Sequence, residues 1–192
     1  MRHPHFSTAD YPLIKAELEP LLRLWHRADL VENWLAQMTK KHQVTIKHTV
    51  VVTRTPEQVW DFTQDWTQRS RWDPAITSAE IIESEPAPLV RAKGFGWTSF
   101  VAKYKLYDRP RRTSLVMVDC VPSWLGGGGA WSYEPGDDRN TTCWTQTNTL
   151  VLGTSWNFAF LKPLFRWQLG WFTRRAMRKA KRMVEREPRI EL

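Results

Sequence analysis

The residue with the most obvious capacity for chemistry is His48, the only histidine after residue 42. It alternates in phase with Val44, Ile46 and Val50, so a strand through this segment would turn all four side chains to one face. An inward-facing histidine can serve as a hydrogen-bonding group or as a general base inside a cavity. The alternative is a core histidine whose hydrogen bonds are satisfied, and the pattern leaves both interpretations open.

Two amide side chains, Gln146 and Asn148, are the next polar candidates. They share the phase of Trp144 and Leu150 in a second alternating run, which would let them orient a polar group of a ligand. The same phase is equally compatible with a polar outer face of a sheet. Three further polar residues lie in strand-like segments whose facing direction the sequence does not fix: Tyr104, Asp119 and Tyr133.

Aromatic residues are abundant, with twelve tryptophans in 192 residues. Such side chains supply large apolar surfaces with an occasional polar group, which suits a pocket for a planar or hydrophobic ligand and equally suits an ordinary core. The aromatic candidates for a cavity wall are Trp60, Trp72, Trp97, Trp131, Trp144, Phe158, Phe165 and Phe172.

Other kinds of site lack their sequence signatures. There is no Gly-x-Ser-x-Gly elbow, and the two cysteines, Cys120 and Cys143, have the spacing of neither a zinc site nor a disulfide framework. The glycines of 94–96 and 126–129 lack the Lys-Ser/Thr and the following helix that a phosphate loop requires. We therefore expect no metal and no cofactor.

The elements that must position these residues begin with the strand at 43–52. Thr55 has the character of a helix N-cap and Pro56 suits the first helical position, so a short helix should follow, with Val59 and Trp60 on its apolar face. A second short helix is predicted over 67–72, and strands at 76–84 and 113–121.

The second half of the chain predicts a loop, a hairpin and a long helix. Four consecutive glycines favour a loop over 122–129, which would be free to gate a cavity. Residues 130–134 and 141–152 read as a hairpin. From residue 157 onward apolar residues recur at helical spacing, with Pro163 marking either the start of the helix or a kink.

The strand at 43–52, the Thr55-Pro56 pair, Val59-Trp60 and the later 72–74 segment Trp-Asp-Pro resemble the START-like superfamily, which includes polyketide cyclases and lipid-transfer proteins. The resemblance extends over 43 to about 187. It implies an α+β helix-grip fold, in which a curved antiparallel sheet wraps around a long C-terminal helix and encloses an apolar cavity. The resemblance makes 43–192 the ligand-binding domain. Residues 1–42 lie outside it, and the helical spacing of apolar residues over 12–40 predicts an N-terminal helical extension there.

The net charge of the chain is +8, and seven basic residues lie within 174–186. Such a block can attract an anionic membrane surface, or it can be the solvated face of a helix. No nucleic-acid motif accompanies it, which argues against that partner. With no secretory signal and no apolar run of about 20 residues, we expect a cytoplasmic protein, either free or peripheral to a membrane.

The preferred function is binding or transport of a hydrophobic small molecule, lipid-like or aromatic, in the internal cavity. The alternatives are a cyclase or dehydratase acting on a polyketide-like substrate, with His48 as the base, and a peripheral membrane protein that binds lipid. The sequence leans toward a carrier rather than an enzyme.

Overall fold

The structure is a computed structural model that describes residues 43–85, 87–138, 140–152 and 161–186. Seven strands and three α-helices make up this part, with a 3₁₀ helix at Trp66–Gln68. In chain order the elements are β1 (Gln43–Val52), α1 (Pro56–Gln64), α2 (Arg69–Trp72), β2 (Ile76–Glu83), β3 (Leu89–Gly94), β4 (Ser99–Asp108), β5 (Arg112–Val121), β6 (Leu125–Pro135), β7 (Thr142–Leu152) and α3 (Lys162–Arg186).

The strands form one antiparallel sheet in the order β1-β7-β6-β5-β4-β3-β2. The first strand, β1, pairs with the last strand, β7, and so β1 and β2 form the two opposite edges of the sheet. The β1–β7 register places His48 opposite Gln146 and Val50 opposite Trp144. The alternating positions that were predicted to share a face therefore lie on one face of adjacent strands.

The start of α1 shows why the chain turns from strand to helix at this point. The Thr55 hydroxyl accepts a hydrogen bond from Gln58 N, and the Gln58 side chain accepts one from Thr55 N, so both groups cap the helix. Pro56 occupies the first helical position, where its missing N–H costs nothing. The helix buries Val59, Trp60 and Phe62 against the sheet.

Helix α3 is held against β1 along its C-terminal half. It buries a narrow stripe of small and apolar residues, which includes Ala176, Met177 and Ala180. Near its end the Glu185 carboxylate accepts hydrogen bonds from Thr53 N and Oγ1 and from Lys181 Nζ. Pro163 is the second residue of this helix, so it marks the helix start rather than a kink.

The predicted loop at 122–129 was wrong, because Gly126 to Gly129 are part of strand β6. The cause is the close approach of neighbouring strands: a Cβ on Gly128 would meet the Leu115 carbonyl oxygen, and one on Gly127, whose φ is +152°, would meet the Thr149 carbonyl oxygen. The glycines are therefore required inside the sheet, and the segment cannot serve as a flexible gate.

The helix-grip α+β fold predicted from the sequence is confirmed, as are the two short helices, the strand at 113–121 and the β6–β7 hairpin. The division at residue 42 stays a prediction, because residues 1–42 lie outside the described part of the chain. In the described residues no helix is both long and apolar enough to cross a bilayer.

Candidate functional site

A cavity of about 340 Å³ lies between the sheet and the first half of α3. Its floor comes from β4 to β7, with Phe100, Leu115 and Leu150 among the contributors, and its roof comes from α3, with Leu169 and Thr173. Two glycines of β6, Gly128 and Gly129, also line it. A Cβ on Gly129 would meet the ring of Trp131, which lines the cavity as well.

Two charged side chains, Arg69 and Asp73, line this mostly apolar space. Arg69 is only 4% exposed, and its Nε donates to the Asp73 carboxylate at 3.0 Å, one helical turn further on. The guanidinium carbon lies 4.4 to 5.3 Å from the ring centroids of Trp66, Trp72 and Trp131, so three indoles stabilise the cation. The site therefore holds a fixed, buried ion pair beside an apolar cavity.

The segment that carries Arg69 is fixed by a directed chain of buried hydrogen bonds. Trp66 Nε1 donates to Tyr104 OH at 2.9 Å, and that hydroxyl donates to Gln64 Oε1 at 2.8 Å. Gln64 Nε2 donates to Tyr133 OH at 2.7 Å, which contacts Thr63 Oγ1 at 2.7 Å. Burial raises the pKa of Tyr104 to about 12 and raises that of Tyr133, so both phenols are neutral and act as relays between α1 and the sheet.

Polar groups on the other side of the cavity are only partly satisfied. Gln146 Nε2 donates to Asn148 Oδ1 at 3.1 Å, and Asn148 Nδ2 donates to Thr173 Oγ1 at 2.8 Å on α3. Gln146 Oε1 and the indole Nε1 of Trp131 are buried and have no hydrogen-bond partner among the described residues. An acceptor and a donor are thus left for a ligand to satisfy.

The sequence comparison supports the same interpretation as this architecture. The model of a family described as polyketide cyclase / dehydrase and lipid transport matches residues 43–186. The chain belongs to this family. A search of curated proteins finds no match to this chain.

Solved structures of the START-like superfamily share the fold of this family member. The Zhui aromatase/cyclase from a Streptomyces species is 16% identical with a TM-score of 0.65, over 78% of this chain and 98% of that one. A START superfamily protein from Mycobacterium smegmatis is 13% identical with a TM-score of 0.58, over 72% and 98%. The di-domain ARO/CYC BexL is 18% identical with a TM-score of 0.63, over 90% and 61%. At these identities the likeness shows the fold alone.

Five of the predicted site residues line the cavity of this START-like domain. They are Trp131, Gln146, Asn148, Phe165 and Phe172. The first three come from β6 and β7, and the last two come from α3. Some of these residues are more than 40 positions apart in the sequence, and they meet because α3 lies across the sheet. Their role in binding stays a prediction.

The remaining predicted residues lie elsewhere. Trp60, Trp72 and Trp144 are fully buried in the core, where Trp72 and Trp144 pack edge to face at 6.2 Å. Tyr104 belongs to the hydrogen-bond chain behind the cavity. Trp97 is 69% exposed between β3 and β4. Phe158 lies outside the described residues.

His48 faces α3 rather than the cavity. It is half-buried on the side of β1 that α3 covers, and it is not among the cavity-lining residues. Burial lowers the pKa of His48 below its usual value, and the positive charges of Arg174 and Arg178 on α3 lower it further. The imidazole is therefore held neutral at a helix–sheet contact.

This environment predicts a pH-dependent stability. A histidine whose pKa is depressed in the folded state contributes full stability above its unfolded pKa of about 6.5 and loses it as the pH falls through that value. Between about pH 7.5 and about pH 5, the wild-type protein should therefore lose more unfolding free energy than His48→Gln. Urea denaturation of both proteins at each pH measures the difference, and parallel pH curves would contradict the expectation.

Sequence reasoning missed the charged pair at the cavity, Arg69 and Asp73. The only available signal was their i,i+4 spacing in a short helix next to two tryptophans, which is too common to single out. Thr173 was also missed, although it lies on the buried stripe of α3. Among the described residues no group of three potential metal ligands comes together.

Proposed function

We propose that this START-like domain binds a hydrophobic small molecule, lipid-like or aromatic, in the cavity between the sheet and α3. The observation that carries the proposal is an apolar cavity of about 340 Å³ with the buried Arg69–Asp73 pair at its wall. This combination suits a ligand with an apolar body and one carbonyl or anionic oxygen. The apolar body would contact residues such as Phe100, Leu115 and Phe172.

Affinity would come chiefly from the apolar body. Removing apolar surface from water contributes roughly 25 cal/mol per Å², so a ligand that fills such a cavity needs no covalent attachment. Orientation would come from the polar groups: the guanidinium of Arg69 and the Trp131 Nε1–H are donors, and Gln146 Oε1 is an acceptor. The preferred ligand therefore carries an acceptor oxygen and also a hydroxyl or other donor.

A pair of neighbouring substitutions tests the cavity. Leu150 lines it, whereas the adjacent Val151 does not, because successive residues of β7 point to opposite faces. Leu150→Trp should weaken binding of the anionic aromatic probe anilinonaphthalene sulfonate by about tenfold or more, since an indole would occupy the site and a loss of about 1.4 kcal/mol suffices. Val151→Trp, which adds the same indole, should bind the probe as the wild type does. Fluorescence titration measures both, and equal affinities would place the probe outside the cavity.

The natural ligand is best sought in protein that has just been purified. Native mass spectrometry should detect a bound small molecule, and extraction should identify it as an apolar compound with an acceptor oxygen. Its occupancy should fall in Leu150→Trp and remain in Val151→Trp. A cavity that is empty in fresh protein and that fails to bind any apolar probe would refute the carrier function.

One observation favours cyclisation or dehydration as a second candidate. The buried guanidinium of Arg69 lines the cavity and can stabilise the negative oxygen that develops when a proton is removed beside a ketone, and the Asp73 carboxylate, which also lines the cavity, would accept that proton. His48, the predicted base, is not positioned at the cavity wall, so this candidate depends on Arg69. If this candidate is right, the wild type should convert a poly-ketone test compound. Arg69→Lys should lose that conversion and still bind the fluorescent probe. Absence of any conversion by the wild type would exclude this candidate.

A further inference from the structure

The exposed side of α3 carries large aromatic and aliphatic residues along its first half. Leu164, Trp167 and Trp171 recur at helical spacing and are 54%, 64% and 42% exposed. Beside them, the turn between β3 and β4 exposes Phe95 and Trp97 by 66% and 69%. We call these five residues the aromatic rim. So much exposed aromatic surface in one place is typical of an interaction site.

The aromatic rim borders the mouth of the cavity. Phe95 lines the cavity although it is largely exposed, so it lies where the cavity opens. Its ring is 6.2 Å from that of Phe172, whose ring is in turn 5.1 Å from Trp171 on the outside of α3. Phe95, Phe172 and Trp171 therefore form one continuous apolar surface at the opening.

The second half of the same helix is strongly basic. Six exposed cations line a single cleft on it, and we call them the basic surface: Arg174, Arg175, Arg178, Lys179, Arg182 and Arg186. Across the described residues, none of the six has a carboxylate within 4.0 Å, whereas Lys181 on the adjoining face is paired with Glu185. Arg175 lies 5.2 Å above the Trp171 ring, where the two surfaces meet.

We propose that the aromatic rim and the basic surface together dock the protein on an anionic phospholipid bilayer, with the cavity mouth toward the lipid. Indoles prefer the boundary between headgroups and acyl chains, and clustered arginines are attracted to the negative potential of an anionic leaflet. Charge complementarity selects this partner, because six neighbouring cations with no carboxylate within 4.0 Å in the described part of the chain repel one another until an anionic surface neutralises them. The proposal goes beyond ligand binding and does not require an occupied cavity.

The test is co-sedimentation of the full chain with vesicles of phosphatidylcholine alone and of phosphatidylcholine with phosphatidylglycerol. The protein should bind the second and not the first. The triple variant Arg174→Gln/Arg175→Gln/Arg178→Gln should bind the anionic vesicles about tenfold more weakly or worse. A charge-matched control, Lys103→Gln/Lys105→Gln/Arg111→Gln, removes three exposed cations from β4 and the β4–β5 turn and should bind as the wild type does.

Two further measurements test the apolar and the charged contributions to docking one at a time. Trp167→Ser should weaken vesicle binding without changing the affinity for anilinonaphthalene sulfonate, so a failed cavity and a failed docking surface are distinguishable. Raised salt should weaken binding, since the Debye length falls to about 3 Å at 1 M.

Equal binding by the two triple variants, or no binding to anionic vesicles, would overturn the proposal. Tighter binding to duplex DNA, unaffected by Trp167→Ser, would overturn it as well and assign the basic surface to nucleic acid.

Discussion

Arg69→Gln should lower the free energy of unfolding by about 3 to 5 kcal/mol, because it leaves a buried carboxylate without its cation. The side chains of Arg69 and Asp73 are 5% and 9% exposed, so water can replace little of the lost interaction. The substitution also removes the hydrogen bond from Arg69 Nη1 to the Thr63 carbonyl oxygen and the contacts with three indoles. Urea denaturation measures the loss.

The exposed pair between Arg91 and Glu80 is the matched control. Its side chains are 58% and 71% exposed, and Arg91→Gln should therefore change stability by less than about 1 kcal/mol. The double variant Arg69→Gln/Asp73→Asn should regain part of the stability that Arg69→Gln loses, because the carboxylate is no longer charged. If Arg69→Gln and Arg91→Gln cost the same, the buried pair has no structural role.

Gly128→Ala should destabilise the domain by about 3 kcal/mol, close to the upper end of what overpacking usually costs. The new Cβ would meet the Leu115 carbonyl oxygen of the adjacent strand β5. That atom belongs to the backbone in the middle of the sheet, so it cannot move aside as the end of a side chain can. Thermal and urea unfolding should both report the loss.

The same substitution two residues earlier provides the control. A Cβ on Gly126 would find its nearest neighbour, Val151, at 4.0 Å, which is ordinary van der Waals contact. Gly126→Ala should therefore be neutral, or should stabilise by about 0.4 to 1 kcal/mol by restricting the unfolded chain. Equal losses at both positions would mean that strand propensity, rather than the close approach of β5, explains the glycines.

Local patterns were sufficient to predict most of the fold. Alternation identified β1, and Thr55 with Pro56 identified the start of α1, because each signal depends only on neighbouring residues. The prediction of a loop at the glycines of β6 was wrong because it used only neighbouring residues. Their requirement comes from β5 and β7, which approach from distant parts of the chain, and local entropy alone favours a loop.

The site was less accessible to sequence reasoning than the fold. Phase along β7 correctly grouped Gln146 with Asn148, yet it also grouped them with Trp144, which is buried in the core beyond the cavity. Which side chains on that face of β7 line the cavity depends on where α3 separates from the sheet. The pairing of Arg69 with Asp73, and its approach to Trp131 on β6, likewise depend on three-dimensional packing that no spacing encodes.

The cage of Trp66, Trp72 and Trp131 around Arg69 has a spectroscopic consequence. An indole beside a fixed positive charge emits at a wavelength that depends on the local field, and Trp66 and Trp131 also line the cavity. A molecule that brings a negative oxygen to the guanidinium would change that field at both rings. The protein thus carries an intrinsic optical reporter of cavity occupancy, and its emission colour can be followed without attaching a dye.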